Sequence, residues 1–172
     1  MGLLVIIVTA SFGGWDGLPN PLGWVLVLLG VRAARSSLPS STALAVLGLM
    51  ALLISAISYP PDVTADLDPS AAWLLDLPQV AFEVVLCSAV GSVLAPKGRV
   101  FRLLMWVLVL VGVGPAIAIG TDDPGIADAV DGAFALSQIA LVWMLFSVSG
   151  DPRTGAQPRT PSRQEEAGFQ DP

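Results

Sequence analysis

AAWLLDLPQVAFEVVLCSAVGSVLAPKGRVFRLLMWVLVLVGVGPAIAIG, residues 71–120, contains two long apolar runs separated by one short basic turn. A hydrocarbon core about 30 Å thick takes about 20 helical residues to cross, and residues 71–95 and 100–120 both reach that length. Between them, Pro96 and Gly98 fall at the second and fourth positions of a type I turn, which predicts two antiparallel helices. Lys97, Arg99 and Arg102 cluster at that turn, and two further runs of similar character, residues 43–59 and 126–149, flank the pair.

Outward from this hairpin the connectors alternate in sign. Arg32 and Arg35 are followed by Asp62, Asp66 and Asp68, then by the basic turn, then by Asp122 and Asp123, and finally by Arg153, Arg159 and Arg163. All eight basic residues fall on one side of the alternation, and the positive-inside rule assigns that side to the cytoplasm. The expectation is a protein of the cell (cytoplasmic) membrane with both termini cytoplasmic. The first apolar run has no basic residue ahead of it, unlike a signal peptide, and is expected to be retained.

Composition supports the same class. Of 172 residues, 54% are hydrophobic and 13% charged, and the mean hydropathy is +0.75, far from the usage of a soluble domain. A net charge of −6 argues against nucleic acid as a partner, because phosphate binding needs a clustered basic face. With no histidine, the usual haem, zinc and copper ligands and the Ser-His and Cys-His couples are missing. One cysteine, Cys87, rules out an intramolecular disulfide and reads as a buried apolar side chain. No metal, cofactor or catalytic residue is expected. The tail, residues 150–172, has four prolines and few aliphatics, and is expected to be a disordered cytoplasmic segment after a transmembrane domain of residues 1–149.

The N-terminus departs from the long-span plan. WDGLPNPLGW, residues 15–24, separates two apolar runs of about 12 residues, each rising only ~18 Å as a helix. Either these are two short tilted passes with the turn at the outer interface, or a re-entrant hairpin carries the turn to membrane depth, where protein must surround it. Trp15 and Trp24 suit the interface and the two prolines with Asn20 suit a solvated turn, so two short passes are expected. A re-entrant arrangement would make Asp16 the leading candidate for an intramembrane site.

The same stretch carries a resemblance. Asp16, Pro19, Asn20, Pro21, Gly23 and Trp24 lead into a leucine-valine helix that ends in Arg32, and this run resembles the start of uncharacterised small bacterial multi-pass membrane proteins bearing an Asp-x-x-Pro-(Asp/Asn)-Pro-x-Gly-Trp motif. The likeness covers about a tenth of the chain. It implies a multi-pass membrane protein and carries over no catalytic residue.

Ionisable groups inside apolar stretches occur on two helices. Asp76, Gln79, Glu83 and Cys87 lie at offsets 0, 3, 7 and 11, and Asp128, Asp131 and Gln138 at offsets 0, 3 and 10, so each set forms one helical stripe. Pro78 divides the first helix, and the expectation is an interfacial turn over residues 71–77 with the span starting near Pro78. Glu83 then lies ~8 Å into the span, against ~18 Å if the helix starts at Ala71. Two readings of the stripes stand side by side. They could line one outward cavity that holds a cation or relays protons through Glu83, Asp131 and Gln138. Otherwise Asp76, Asp123 and Asp128 are caps or interfacial residues, and a protonated Glu83 bonds Gln138 and joins two helices. Further expectations are a Ser70 cap, an Asp123 cap before Pro124, and a close-packing seam of small residues at Gly112, Ala116 and Gly120.

The fold expected is all-α: a polytopic transmembrane bundle of three helical hairpins, with four long spans and an N-terminal pair of short helices. Its partners are the lipid bilayer and either another membrane protein or further copies of the chain. A non-catalytic membrane component or assembly partner is the first functional reading. A small cation or proton transporter using Glu83 and Asp131 is the second.

Overall fold

The structure is a computed structural model that describes residues 11–12, 15–16, 20–60, 67–94, 98–121 and 124–149. Among these, five helices carry the fold: α1 (Asn20–Ala33), α2 (Ser41–Ile57), α3 (Pro69–Val93), α4 (Gly98–Thr121) and α5 (Pro124–Ser149). Ahead of them a two-residue strand β1 (Ser11–Phe12) pairs antiparallel with β2 (Trp15–Asp16), Phe12 opposite Trp15. Backbone at Ser11 and Phe12 is therefore extended, whereas the apolar run had been expected to stay helical that far. The rest of that first run and the tail at 150–172 lie outside the described residues.

Three helices, α3, α4 and α5, are long and apolar enough to cross a membrane. The run expected over residues 43–59 is a helix of equal length shifted two residues toward the N-terminus, and with 17 residues α2 rises about 25 Å, less than a hydrocarbon core about 30 Å thick. Pro60 and Pro61 explain its end: a residue before proline is pushed out of the helical region, and the last helical residue is Ile57. With 14 residues, α1 is shorter still.

The interfacial turn expected before Pro78 is replaced by one continuous 25-residue helix with Pro78 inside it. A proline there removes one backbone donor, and side-chain contacts on both sides of it hold the helix together. N-terminal to Pro78, Trp73 Nε1 donates to the Gly112 carbonyl of α4 at 2.9 Å. C-terminal to it, Phe82 packs edge-on against Trp24 of α1, ring centroids 5.2 Å apart and planes at 87°. The helix begins earlier than Ser70, since the carboxylate of Asp68 accepts from the Ser70 N–H at 2.8 Å and Pro69 takes the first turn. That bond holds the Asp68 carboxyl below its ordinary range.

Neighbouring helices run antiparallel. Gly48 of α2 meets Leu28 of α1, Gly91 of α3 meets Phe101 of α4, and Gly114 of α4 meets Val130 of α5. In α3, Val80, Trp73 and Gly91 face α4, while Phe82 turns to α1 and α2 and Glu83, about 100° further round, turns to α5. In α3 the buried residues gather between Phe82 and Val90, and in α4 they run from Gly98 to Ala118.

The outward faces are apolar. Among the described residues, 23 large hydrophobic side chains are exposed, with Leu103, Trp106, Leu110, Val113 and Ile117 down one face of α4 and Leu136, Ile139 and Trp143 down α5. Each such side chain left in water forgoes roughly 1.5–3 kcal/mol, so the sum far exceeds the stability of a folded domain and calls for an apolar surrounding. Trp24, expected at the interface, is instead buried in the core between α1 and α3.

Candidate functional site

Glu83 is the only acidic side chain among the described residues that is fully enclosed, with no exposed surface. It sits at the fifteenth position of α3, about 21 Å along the helix axis from Pro69. Gln138 of α5 donates from Nε2 to Glu83 Oε2 at 2.6 Å, and Gln79, one turn earlier on α3, donates from Nε2 to Oε1 at 3.4 Å. The first is a short bond between helices; the second is long and weaker. Each carboxyl oxygen thus faces an amide, and no Lys or Arg is near: the described arginines, Arg32, Arg35, Arg99 and Arg102, lie at the opposite ends of α1 and α4 from the Trp24 and Gly112 levels. Leaving the buried Gln138 amide without its acceptor would cost about 1–3 kcal/mol, which makes this contact a strong constraint on how α3 and α5 dock.

Around the carboxyl the packing is apolar. Cys87 is fully buried one turn on, Phe82 and Leu86 are buried beside it, and Phe82 reaches Gly48 of α2. Ser137, next to Gln138, is also buried and returns its hydroxyl to the Phe134 carbonyl of its own helix, so it adds no bond across the interface.

The remaining stripe residues separate. Asp76 and Gln79 line a cavity of 300 Å³ between α1, α2 and α3, together with Trp24, Ser55 and Ser58. Asp131 lines a different and smaller cavity of 80 Å³ against α4, with Trp73, Gly112 and Pro115, and Asp76 reaches this one as well. Asp131 and Asp128 are exposed, and Glu83 and Gln138 line neither cavity. The two stripes therefore meet at the Glu83–Gln138 pair, and toward the N-terminal ends of α3 and α5 Asp76 and Asp131 share the 80 Å³ cavity, while Gln79 opens only on the larger one. Asp16 lies in β2, ahead of α1. Asp123 falls outside the described residues. No group of three or more Asp, Glu, Cys or His placed to hold a metal ion occurs among the described residues.

The small-residue seam is also rearranged. A Cβ at Gly112 would come within 2.6 Å of Val80 Cγ1, so the absence of a side chain there lets α3 approach. Ala116 is only partly buried, and nothing lies within 4 Å of a Cβ built at Gly120. The second close approach is at Gly114, against Val130 of α5. Gly112 and Gly114 point to different sides of α4, so one helix takes a neighbour on each flank, which a single four-residue repeat does not describe.

Sequence reasoning overlooked the Trp73 bond to Gly112 and the serines of the 300 Å³ cavity. Trp73 carried a signal, since a tryptophan N–H needs an acceptor when buried. Ser55 and Ser58 carried none beyond their i, i+3 spacing near the end of α2.

Three long apolar helices with an apolar exterior and one buried polar contact make this chain compatible with a helical membrane protein. No family model, curated protein or solved structure matches it.

Proposed function

We propose that the protein is a non-catalytic integral component of the cell membrane that assembles with another membrane protein or with copies of itself. The observation that carries this reading is the Glu83 carboxyl, enclosed by protein and bonded through both oxygens to amides, away from both cavities. A polar group so placed fixes the docking of two helices, the use to which buried polar side chains in membrane bundles are put. The broad apolar faces of α4 and α5 offer surface for lipid and for a partner helix.

In this reading the chain passes the membrane six times as three hairpins. α2 serves as a fourth long span, α1 and the apolar run before it as a short pair, and both termini are cytoplasmic. The basic residues and the N-terminal motif of residues 16–24 support it. Externally added thiol reagent should leave Ser37→Cys unlabelled in intact cells, and labelling from outside would reverse the orientation.

A second reading, a cation or proton pathway through Glu83 and Asp131, draws on one observation: Gln79 both lines the 300 Å³ cavity and reaches Glu83. Proteoliposomes separate the two. The assembly reading expects ion flux no greater than in empty vesicles, together with a complex larger than one chain on native extraction. Flux that Glu83→Gln abolishes would overturn it in favour of transport.

A further inference from the structure

The 300 Å³ cavity lies between the N-terminal end of α1, the C-terminal end of α2 and the N-terminal end of α3. Its size is at the lower end of small-molecule sites and about ten times the volume of one water, well beyond what a single ion fills. Its lining has two characters. Trp24, Ile54 and Leu75 present apolar surface, while Ser55, Ser58 and Asp76 present hydroxyls and one carboxylate. Such a wall fits a molecule with an apolar body and a polar head.

The sign of that head follows from the charges. Asp76 is exposed and has no hydrogen-bond or ion-pair partner among the described residues. The described basic residues, Arg32, Arg35, Arg99 and Arg102, lie toward the opposite helix ends, so among the described residues nothing basic competes for this carboxylate. A divalent metal needs six or more oxygen ligands and is poorly served by one carboxylate. A primary ammonium carries three donors, which match one carboxylate and two serine hydroxyls, and a tryptophan in the wall adds attraction for a cation.

We propose that this cavity binds the primary ammonium head of a small amphiphilic amine, seated on Asp76 between Ser55 and Ser58 with its apolar part against Trp24 and Leu75. The ammonium can come from a free alkylamine or from an aminophospholipid headgroup, since the site is at the end of the helices where headgroups lie. The proposal stands apart from the assembly reading and does not require it.

The test uses the full chain in nanodiscs of phosphatidylglycerol alone, titrated calorimetrically with butylammonium chloride at constant ionic strength. Saturable binding at one site is expected, weakened about tenfold or more by Asp76→Asn, as the loss of one charge-assisted bond implies. Ser55→Leu, which fills the cavity and keeps the charge, should weaken it similarly, and Asp131→Asn, in the other cavity, should leave it unchanged. Repeating the titration in discs containing phosphatidylethanolamine distinguishes the sources. Weaker apparent binding there identifies the headgroup as the competing occupant, and equal binding identifies a free amine. Absence of saturable binding, or binding unaltered by both Asp76→Asn and Ser55→Leu, overturns the proposal; if Asp76→Asn fails to fold, Ser55→Leu alone decides.

Discussion

α3 and α5 carry polar residues at nearly the same helical spacing, yet only α3 turns its stripe into protein. A third of the α3 span is buried against 17% of the α5 span, because α3 packs on α2 and α4 and also touches α5, whereas α5 lies on one flank of α4. Along α3, Gln79, Glu83 and Cys87 descend into the core, while along α5 Asp128 and Asp131 stay exposed and only Gln138 is enclosed. Spacing places residues on one face; the number of neighbouring helices decides whether that face is inside.

The sharpest way to break this contrast is to exchange the acids for apolar groups. Glu83→Leu leaves the buried Gln138 amide without an acceptor and should destabilise by about 2 kcal/mol in reversible unfolding from mixed micelles. Asp131→Asn should stay within about 0.5 kcal/mol, as for an exposed site. Equal effects would mean that the two stripes are equivalent after all.

The flanks of α4 provide the next comparison. Gly112→Val drives a side chain into Val80 on the α3 side and should cost about 2 kcal/mol by overpacking. Gly114→Val meets Val130 Cγ1 and Cγ2 at 2.9 Å on the α5 side, a looser approach than the 2.6 Å at Gly112, and should cost about 1 kcal/mol on the same scale. Gly120→Val, with open space around it, should be neutral in the same assay.

A smaller effect isolates the bond between the stripes. In a double-mutant cycle, Glu83→Leu with Gln138→Leu should be less damaging than the sum of the single changes, with a coupling of about 1 kcal/mol. Coupling near zero would reduce the 2.6 Å contact to mere proximity.

The smallest effect concerns the start of α3. Asp68 is held below its ordinary value of 3.8 by the Ser70 N–H, so the folded form binds its proton more weakly than the unfolded chain does. The contribution to stability is therefore fully present above that value and is lost as pH falls through the lower folded value. A nitroxide at Ala72 should become more mobile over that acid window in the wild type, and Asp68→Ala should be mobile at neutral pH already.

Much of the architecture was legible in the chain. Runs of residues such as 100–120 are too apolar for water and long enough for a bilayer, and Pro96 with Gly98 marks a turn between two of them. Pro78 misled, because a local rule says that proline starts or breaks a helix, while packing through Trp73 and Phe82 kept α3 continuous. Trp24 misled for a related reason: an aromatic near a helix end suits an interface, unless a partner such as Phe82 is waiting beneath it.

By itself the sequence determined that apolar helices dominate, where their charged ends fall, and which residues share a face, since these depend on composition and on the 3.6-residue period. Only the tertiary structure decided that Glu83 meets Gln138, that Gln79 opens on one cavity and Asp131 on another with Asp76 reaching both, and that Gly112 and Gly114 serve different neighbours. The physical reason is that burial is a property of pairs of helices: a stripe becomes a core or a surface according to what packs against it, and no single helix carries that information.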